Sequence, residues 1–264
     1  MTGILWVILI GIIGVGVGSL LNTLVFRTKA EKGLKEPSAC MSCQNPISKK
    51  DLIPVLSYFH LRGRCRKCSA VIEWQYPAIE MLTGVLFAIV FARAFYGFAL
   101  PEFVDAGEWV WLFVRDAAMI VFLTIVFVYD FRYKVILDKY SIPAILVAFI
   151  FNLAMGADVL SMLVGGLLVG AFFAVQFLLS RGKWIGGGDI RLGVLMGVLL
   201  GPALGLVGLF LAYVIGALAG VYLILKKHQK LDDHIPFGTF LSVSIIITML
   251  WGQQLLEWYS GFFA

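Results

Sequence analysis

The chain has 264 residues, 61% of them hydrophobic and only 14% charged, an apolar share beyond that of soluble globular domains. That excludes an ordinary water-soluble enzyme and places the chain in a lipid bilayer. The net charge of +5 is carried by short loops between apolar segments, so it reports topology, and no nucleic-acid partner is expected.

Met1 to Phe26 carries no charge before Arg27 and exceeds the roughly 20 apolar residues needed to cross the hydrocarbon layer as a helix. It lacks a basic leading region and an Ala-x-Ala cleavage site, so it is expected to remain as a first helix. Further spans are expected at about 76–98, 109–129, 141–157, 159–180, 190–203, 204–225 and 239–258. The predicted fold is an all-α polytopic membrane helical bundle of about eight transmembrane helices. The sixth and seventh spans come from one uncharged run, Leu192 to Leu225, in which Gly201-Pro202 is suited to a turn. Arg115 and Asp116 interrupt the third span near its start and are read as its outer boundary. No internal sequence repeat is apparent. The expected organisation is a first transmembrane helix (1–26), a small segment that binds zinc (27–75), and a membrane core (76–264).

Of the 21 basic residues, ten lie between Arg27 and Lys67. Nine more fall in groups at Arg132 to Lys139, Arg181 to Arg191 and Lys226 to Lys230, leaving Arg93 and Arg115. The alternate loops carry Glu102, Asp105, Glu108 and Asp158 instead. Basic loops mark the cytosolic side, so both termini are expected outside and the segment 27–75 in the cytosol.

That segment holds all four cysteines, Cys40, Cys43, Cys65 and Cys68, as two C-x2-C pairs. Each pair presents two sulfurs from one tight turn, and four thiolates make a closed tetrahedral zinc site with no open position for water. A structural Zn2+ is therefore expected. Two disulfides are the alternative, which a reducing cytosol opposes. Gly63 and Arg64, just before Cys65, are candidates for cofactor contact, because glycine admits close backbone approach and arginine pairs with carboxylates. An ordinary turn of a metal knuckle is the competing reading.

Few ionisable residues lie in or beside the spans, and such residues are usually functional. Asp130 ends the third span and Asp189 begins the sixth, so alternating topology brings both carboxylates to one face. Asp189 follows Gly186, Gly187 and Gly188, a permissive backbone at a helix start. Two carboxyls sharing one proton can run acid and base chemistry together. The plainer reading makes each a solvated helix end or cap. Asp138, just before the fourth span, competes with Asp130 and suits an N-cap, and Glu80 suits a structural pairing or a substrate contact.

In chain order the sequence reads GSLLNTLVFR (18–27), two C-x-x-C pairs with LRGRC (61–65), YPAIEMLTG (76–84), YDFRYKVILD (129–138), GGGDIRL (186–192) and IPFGTFLS (235–242). With these motifs the chain resembles type IV prepilin peptidases, the Gly-x-Gly-Asp membrane aspartyl proteases. The resemblance implies an enzyme of the bacterial inner membrane that removes the leader of type IV prepilins and type II secretion pseudopilins. It implies N-methylation of the new terminus from S-adenosylmethionine, catalytic roles for Asp130 and Asp189, and zinc on the four cysteines. Leu137 stands where many relatives carry proline. A peptidase without methyltransferase activity is the nearer alternative, and a membrane transporter or scaffold using its acids for ions is the remote one.

Overall fold

The structure is a computed structural model, and it describes residues 2–31, 33, 38–226 and 236–261. Lys32, Lys35, Lys227 and Lys230 of the basic loops, and Ile235 of the last motif, lie outside the described residues.

The described residues are helical apart from loops, with isolated bridges but no strand among them. The helices are α1 (Thr2–Lys29), α2 (Leu56–His60), α3 (Gln75–Tyr96), α4 (Trp109–Tyr133), α5 (Asp138–Ala154), α6 (Val159–Ser180), α7 (Gly187–Leu225) and α8 (Phe237–Ser260). Six of them (α1, α3, α4, α6, α7 and α8) are long and apolar enough to cross a membrane. Helix α5, at 17 residues, is shorter. Helix α7 holds two of the anticipated spans. At Gly201 the backbone leaves the helix (φ 76, ψ 179), a conformation that glycine tolerates and an L side chain resists. Beyond the break a Cβ on Gly205 would lie 3.6 Å from Gly197 Cα, and one on Gly208 would lie 3.1 Å from Met196 Sδ. In a continuous helix residues eight apart are about 12 Å apart, so the chain reverses at Gly201-Pro202 and the two halves of α7 pack on each other.

The chain forms two compact units, Met1–Ala92 and Arg93–Ala264. In the first, α1 packs on α3 where a Cβ on Gly14 would meet Phe87 and one on Gly84 would meet Val15, the close approach that small residues permit in lipid. Glu80, expected to take part in a pairing or a substrate contact, has a structural partner. Its Oε2 accepts from the Val55 N–H at 2.7 Å. Val55 sits at φ 60, ψ −56, and the Leu56 N–H donates to Pro54 O at 2.5 Å. That is a three-residue γ-turn of the strained hand, so a buried carboxylate on α3 holds the loop in its costly conformation.

The second unit is built from α4 to α8, with α7 packed on α5, α6 and α8 and α4 packed on α5 and α8. Its reversal is capped from α5: Asn152 Nδ2 donates to Val198 O and Leu199 O at 3.0 and 3.1 Å. Pro202 has no N–H to offer Val198 O, so the side chain supplies the missing donor. Asn152 is held in turn by Arg115, whose Nη1 donates to Asn152 Oδ1 at 2.8 Å. Asp116 bridges Arg115 at 2.7 Å and Arg93 at 2.5 Å. Arg115 and Asp116 are only 2% and 0% exposed. At the opposite end of α4 from Asp130, the residues expected at an outer boundary thus form a buried clamp. Aliphatic residues exposed along α1, α6 and α7, such as Leu20, Leu167 and Leu218, are the surface that a bilayer covers.

Candidate active site

Three helix ends meet at one place. Asp130 lies in the last turn of α4, which stops where Lys134 takes the left-handed conformation and donates its N–H to Asp130 O at 2.7 Å. Asp189 lies in the first turn of α7, and its Oδ2 accepts from the Gly186 N–H at 3.0 Å, closing the turn that starts the helix. Thr239 lies in the first turn of α8. Its backbone N–H and its hydroxyl both donate to Asp130 Oδ2, at 2.7 and 3.1 Å. Asp130 and Asp189 are both buried, and each carboxyl lies within electrostatic reach of the other.

Ile136 joins the three ends. A Cβ on Gly188 would lie 2.5 Å from Ile136 Cβ, and one on Gly238 would lie 2.6 Å from Ile136 Cδ1 and 3.0 Å from Asp130 Oδ2. Each glycine is the immediate neighbour of a residue that carries or grips a carboxyl. The bare backbones of α7 and α8 thus close on one isoleucine, which explains why glycine stands at both positions. The glycines before Asp189 are therefore not equivalent: Gly188 meets Ile136 at once, whereas a Cβ on Gly187 would meet nothing within 4 Å.

Asp138 has a different situation. It is the first residue of α5, not its N-cap, which is Leu137. Its carboxylate pairs with Arg191, and Arg191 Nη2 also reaches Ile136 O at 3.4 Å. The N-cap expectation for Asp138 is corrected to an ion pair that ties the loop carrying Ile136 to the start of α7. Thr239, Gly238 and Ile136 had no role assigned from sequence. The signal was a Gly-Thr pair in the opening turn of a membrane helix, where free N–H groups await an anion.

The four cysteines form a separate site within the first unit. All four thiol sulfurs lie within 4.8 Å of one another, with Cys40 and Cys68 3.8 Å apart. Four sulfurs at about 2.3 Å from one zinc ion lie roughly 3.8 Å apart, so the cluster fits a tetrahedral ion. Two matching turns deliver them. The Cys40 N–H donates to Asn45 O and the Gln44 N–H to Cys40 O, both at 2.9 Å; the Cys65 N–H donates to Ala70 O at 2.8 Å and the Ser69 N–H to Cys65 O at 2.9 Å. Gln44 and Ser69 share the left-handed conformation, with φ 57 and 58. The segment is thus a structural repeat that the sequence conceals. Backbone amides at Cys43 and Ser42 pull the Cys40 thiol below its ordinary pKa, and that of Asn45 does the same for Cys43, whereas Cys68, despite the Ala70 amide, is pushed up to about 11 by burial and the neighbouring thiols. Nearby, the Arg66 fork holds the Asp51 carboxyl below the usual carboxylate range.

Gly63 has φ +66, and a Cβ there would lie 2.9 Å from the Tyr58 hydroxyl. Its carbonyl accepts from the Ile72 N–H at 2.8 Å, while Arg64 pairs with Val71 in an isolated bridge. Both residues therefore have parts in the turn before Cys65, and nothing in their geometry distinguishes a pocket for S-adenosylmethionine.

Residues 12–94 match the bacterial peptidase A24 N-terminal domain, and residues 117–221 match the type IV leader peptidase family. The chain is similar to proteins named prepilin leader peptidase/N-methyltransferase. One from Aeromonas hydrophila is 31% identical over 243 residues, covering 87% of this chain and 79% of that protein. Another from Neisseria gonorrhoeae is 30% identical over 266 residues, covering 89% and 87%. A third, from Bacillus subtilis, is 30% identical over 256 residues, covering 94% and 95%. No solved structure gives a significant match. The order and reach of these matches, over a helical membrane chain with paired aspartates at its helix ends, mean that the chain belongs to the type IV leader peptidase family.

Proposed function

We propose that the protein cleaves the leader peptides of prepilins and pseudopilins with Asp130 and Asp189 as an acid and base pair, and N-methylates the new terminus from S-adenosylmethionine. The observation that carries the peptidase reading is the convergence of the two buried carboxyls at the ends of α4 and α7, with Thr239 gripping one of them. One carboxylate takes a proton from water as the water oxygen attacks the scissile carbonyl. The other gives its proton to the carbonyl oxygen. Collapse of the tetrahedral intermediate breaks the C–N bond, the amine leaves with the proton taken from water, and both groups return to their starting states without an acyl intermediate. The methyltransferase reading rests on the relatives being prepilin leader peptidase/N-methyltransferases by name.

Cys40, Cys43, Cys65 and Cys68 hold a structural Zn2+ in this reading, which stabilises a segment with little apolar core of its own. The chain is placed in the bacterial inner membrane with both termini outside and residues 27–75 in the cytosol, supported by the distribution of basic residues along the sequence. Helix 1–26 and core 76–264 flank that segment.

The test is cleavage of a prepilin by the purified protein in the presence of labelled S-adenosylmethionine, with Asp130→Asn, Asp189→Asn and Asp138→Asn compared. The two dyad variants lose cleavage and Asp138→Asn retains a substantial part, because its partner Arg191 acts on the loop and not on the substrate. Cleavage by either dyad variant at the wild-type rate would sink the assignment.

A further inference from the structure

The two carboxyls are held in different ways. Asp130 Oδ2 receives two donors from a single residue, the N–H and the hydroxyl of Thr239, and Thr239 is itself 5% exposed. It stands in the opening turn of a 24-residue helix, where N–H groups lack intrahelical acceptors and the helix end carries partial positive charge. Asp189 Oδ2 receives only the Gly186 N–H from its own turn, and its Oδ1 is buried with no hydrogen-bond partner. An N–H and an O–H that both donate to one oxygen favour its unprotonated form, whereas a buried oxygen with no donor has room to carry a proton.

Resting on the dyad reading, we propose that Thr239 is a positioning residue that breaks the symmetry of the pair. It fixes Asp130 as the base that accepts the proton of the attacking water and leaves Asp189 as the acid that protonates the scissile carbonyl. In the forward step the water oxygen bonds to the carbonyl carbon, the water proton passes to Asp130, and the Asp189 proton passes to the carbonyl oxygen. In the return step the C–N bond breaks, the amine takes the proton from Asp130, and the hydroxyl proton returns to Asp189. Thr239 loses and gains nothing in either step. Its two donors hold Oδ2 so that Oδ1 of Asp130 is the oxygen presented to water, and Ile136 packed on Gly238 keeps the gripping turn at that distance.

The experiment compares Thr239→Val, which removes the hydroxyl but keeps the N–H and the shape, with Thr239→Ser, which keeps both donors. Full-length protein is purified, thermal unfolding is recorded for each variant, and kcat and KM for a prepilin are measured beside Asp130→Asn. Loss of a charge-assisted donor to the catalytic base lowers kcat about ten- to a hundredfold, with KM within about twofold because the hydroxyl is spent on Asp130 Oδ2. Thr239→Ser stays within about threefold of wild type in both constants. Equal kcat values for the valine and serine variants, or a valine loss confined to KM, would overturn the proposal. If Thr239→Val does not fold, Thr239→Ala, which also lacks the hydroxyl and keeps the N–H, is judged by the same criteria. Cleavage by Asp130→Asn at the wild-type rate overturns the dyad itself, an outcome distinct from any behaviour of Thr239.

Discussion

Asn152→Ala removes the cap on the α7 reversal, and its cost can be worked from the partners it strands. Val198 O and Leu199 O lose their donors at 3.0 and 3.1 Å, and Arg115 Nη1 loses its acceptor at 2.8 Å. Asn152 is 1% exposed, so water does not replace it cheaply. Three hydrogen bonds at about 1 kcal/mol each give about 3 kcal/mol. The membrane average of about 0.6 kcal/mol per bond lowers this to about 2. The two figures bracket a loss of about 5–10 °C in Tm for a chain of this size, read by thermal unfolding in detergent through tryptophan fluorescence. Asn152→Asp separates the contributions: it keeps an acceptor for Arg115 and adds an anion near two arginines, but gives no donor to the carbonyls. It is expected to lie between alanine and wild type. Asn152→Ala unfolding within about 1 °C of wild type would refute the idea that this side chain substitutes for the donor Pro202 lacks.

Protein purified without added metal is expected to carry one zinc per chain by elemental analysis, and Cys65→Ser to lose the zinc and gain protease sensitivity between residues 38 and 74. Recovery of four cysteines in disulfides with no metal would reverse that reading. Cleavage and methylation are expected to be separable, because hydrolysis needs the acid and base pair while methyl transfer needs a neutral amine aligned with a sulfonium carbon. Asp189→Asn protein should therefore still label a pilin peptide supplied already cleaved, and loss of label in a folded variant would mean that one site serves both reactions.

The helices were legible because lipid enforces them. A run such as Val159–Ser180 has no way to satisfy its backbone in hydrocarbon except as a helix, and the structure gives it those bounds. The reversal at Gly201-Pro202 was legible too, since an uncharged run of that length cannot cross once. The side-chain partners were hidden. Asn152 is one polar residue in an apolar span, and nothing in the sequence shows that it faces two carbonyls some 46 residues away. Arg115 and Asp116 read as a boundary because charge near a span end usually is one, and the sequence does not show that Arg93 on α3 and Asn152 on α5 pair with them. The two cysteine knuckles superimpose in hydrogen bonding, yet share in sequence little beyond the cysteines themselves. Backbone geometry, and not side-chain identity, defines that repeat.

The same contrast explains how the candidate site is built. A carboxylate at the end of a span could drift with the fraying last turn of its helix, and Asp130 sits in such a turn. Three constraints oppose that drift: the left-handed residue Lys134, which ends α4 four residues on; Ile136, which fills the space that Gly188 and Gly238 leave; and the Thr239 donors on Oδ2. Two of them lie in the connection between α4 and α5 and the third at the start of α8, so the turn is held from both sides. The Asp138–Arg191 pair ties the loop to α7 from the outside, but an exposed ion pair contributes little by itself. The apolar wedge and the buried donors must therefore do most of the positioning. In the proposed dyad the Asp130 carboxyl would then be held through Oδ2 by contacts that neither make nor break in the chemical step, as a preorganised acid and base pair requires.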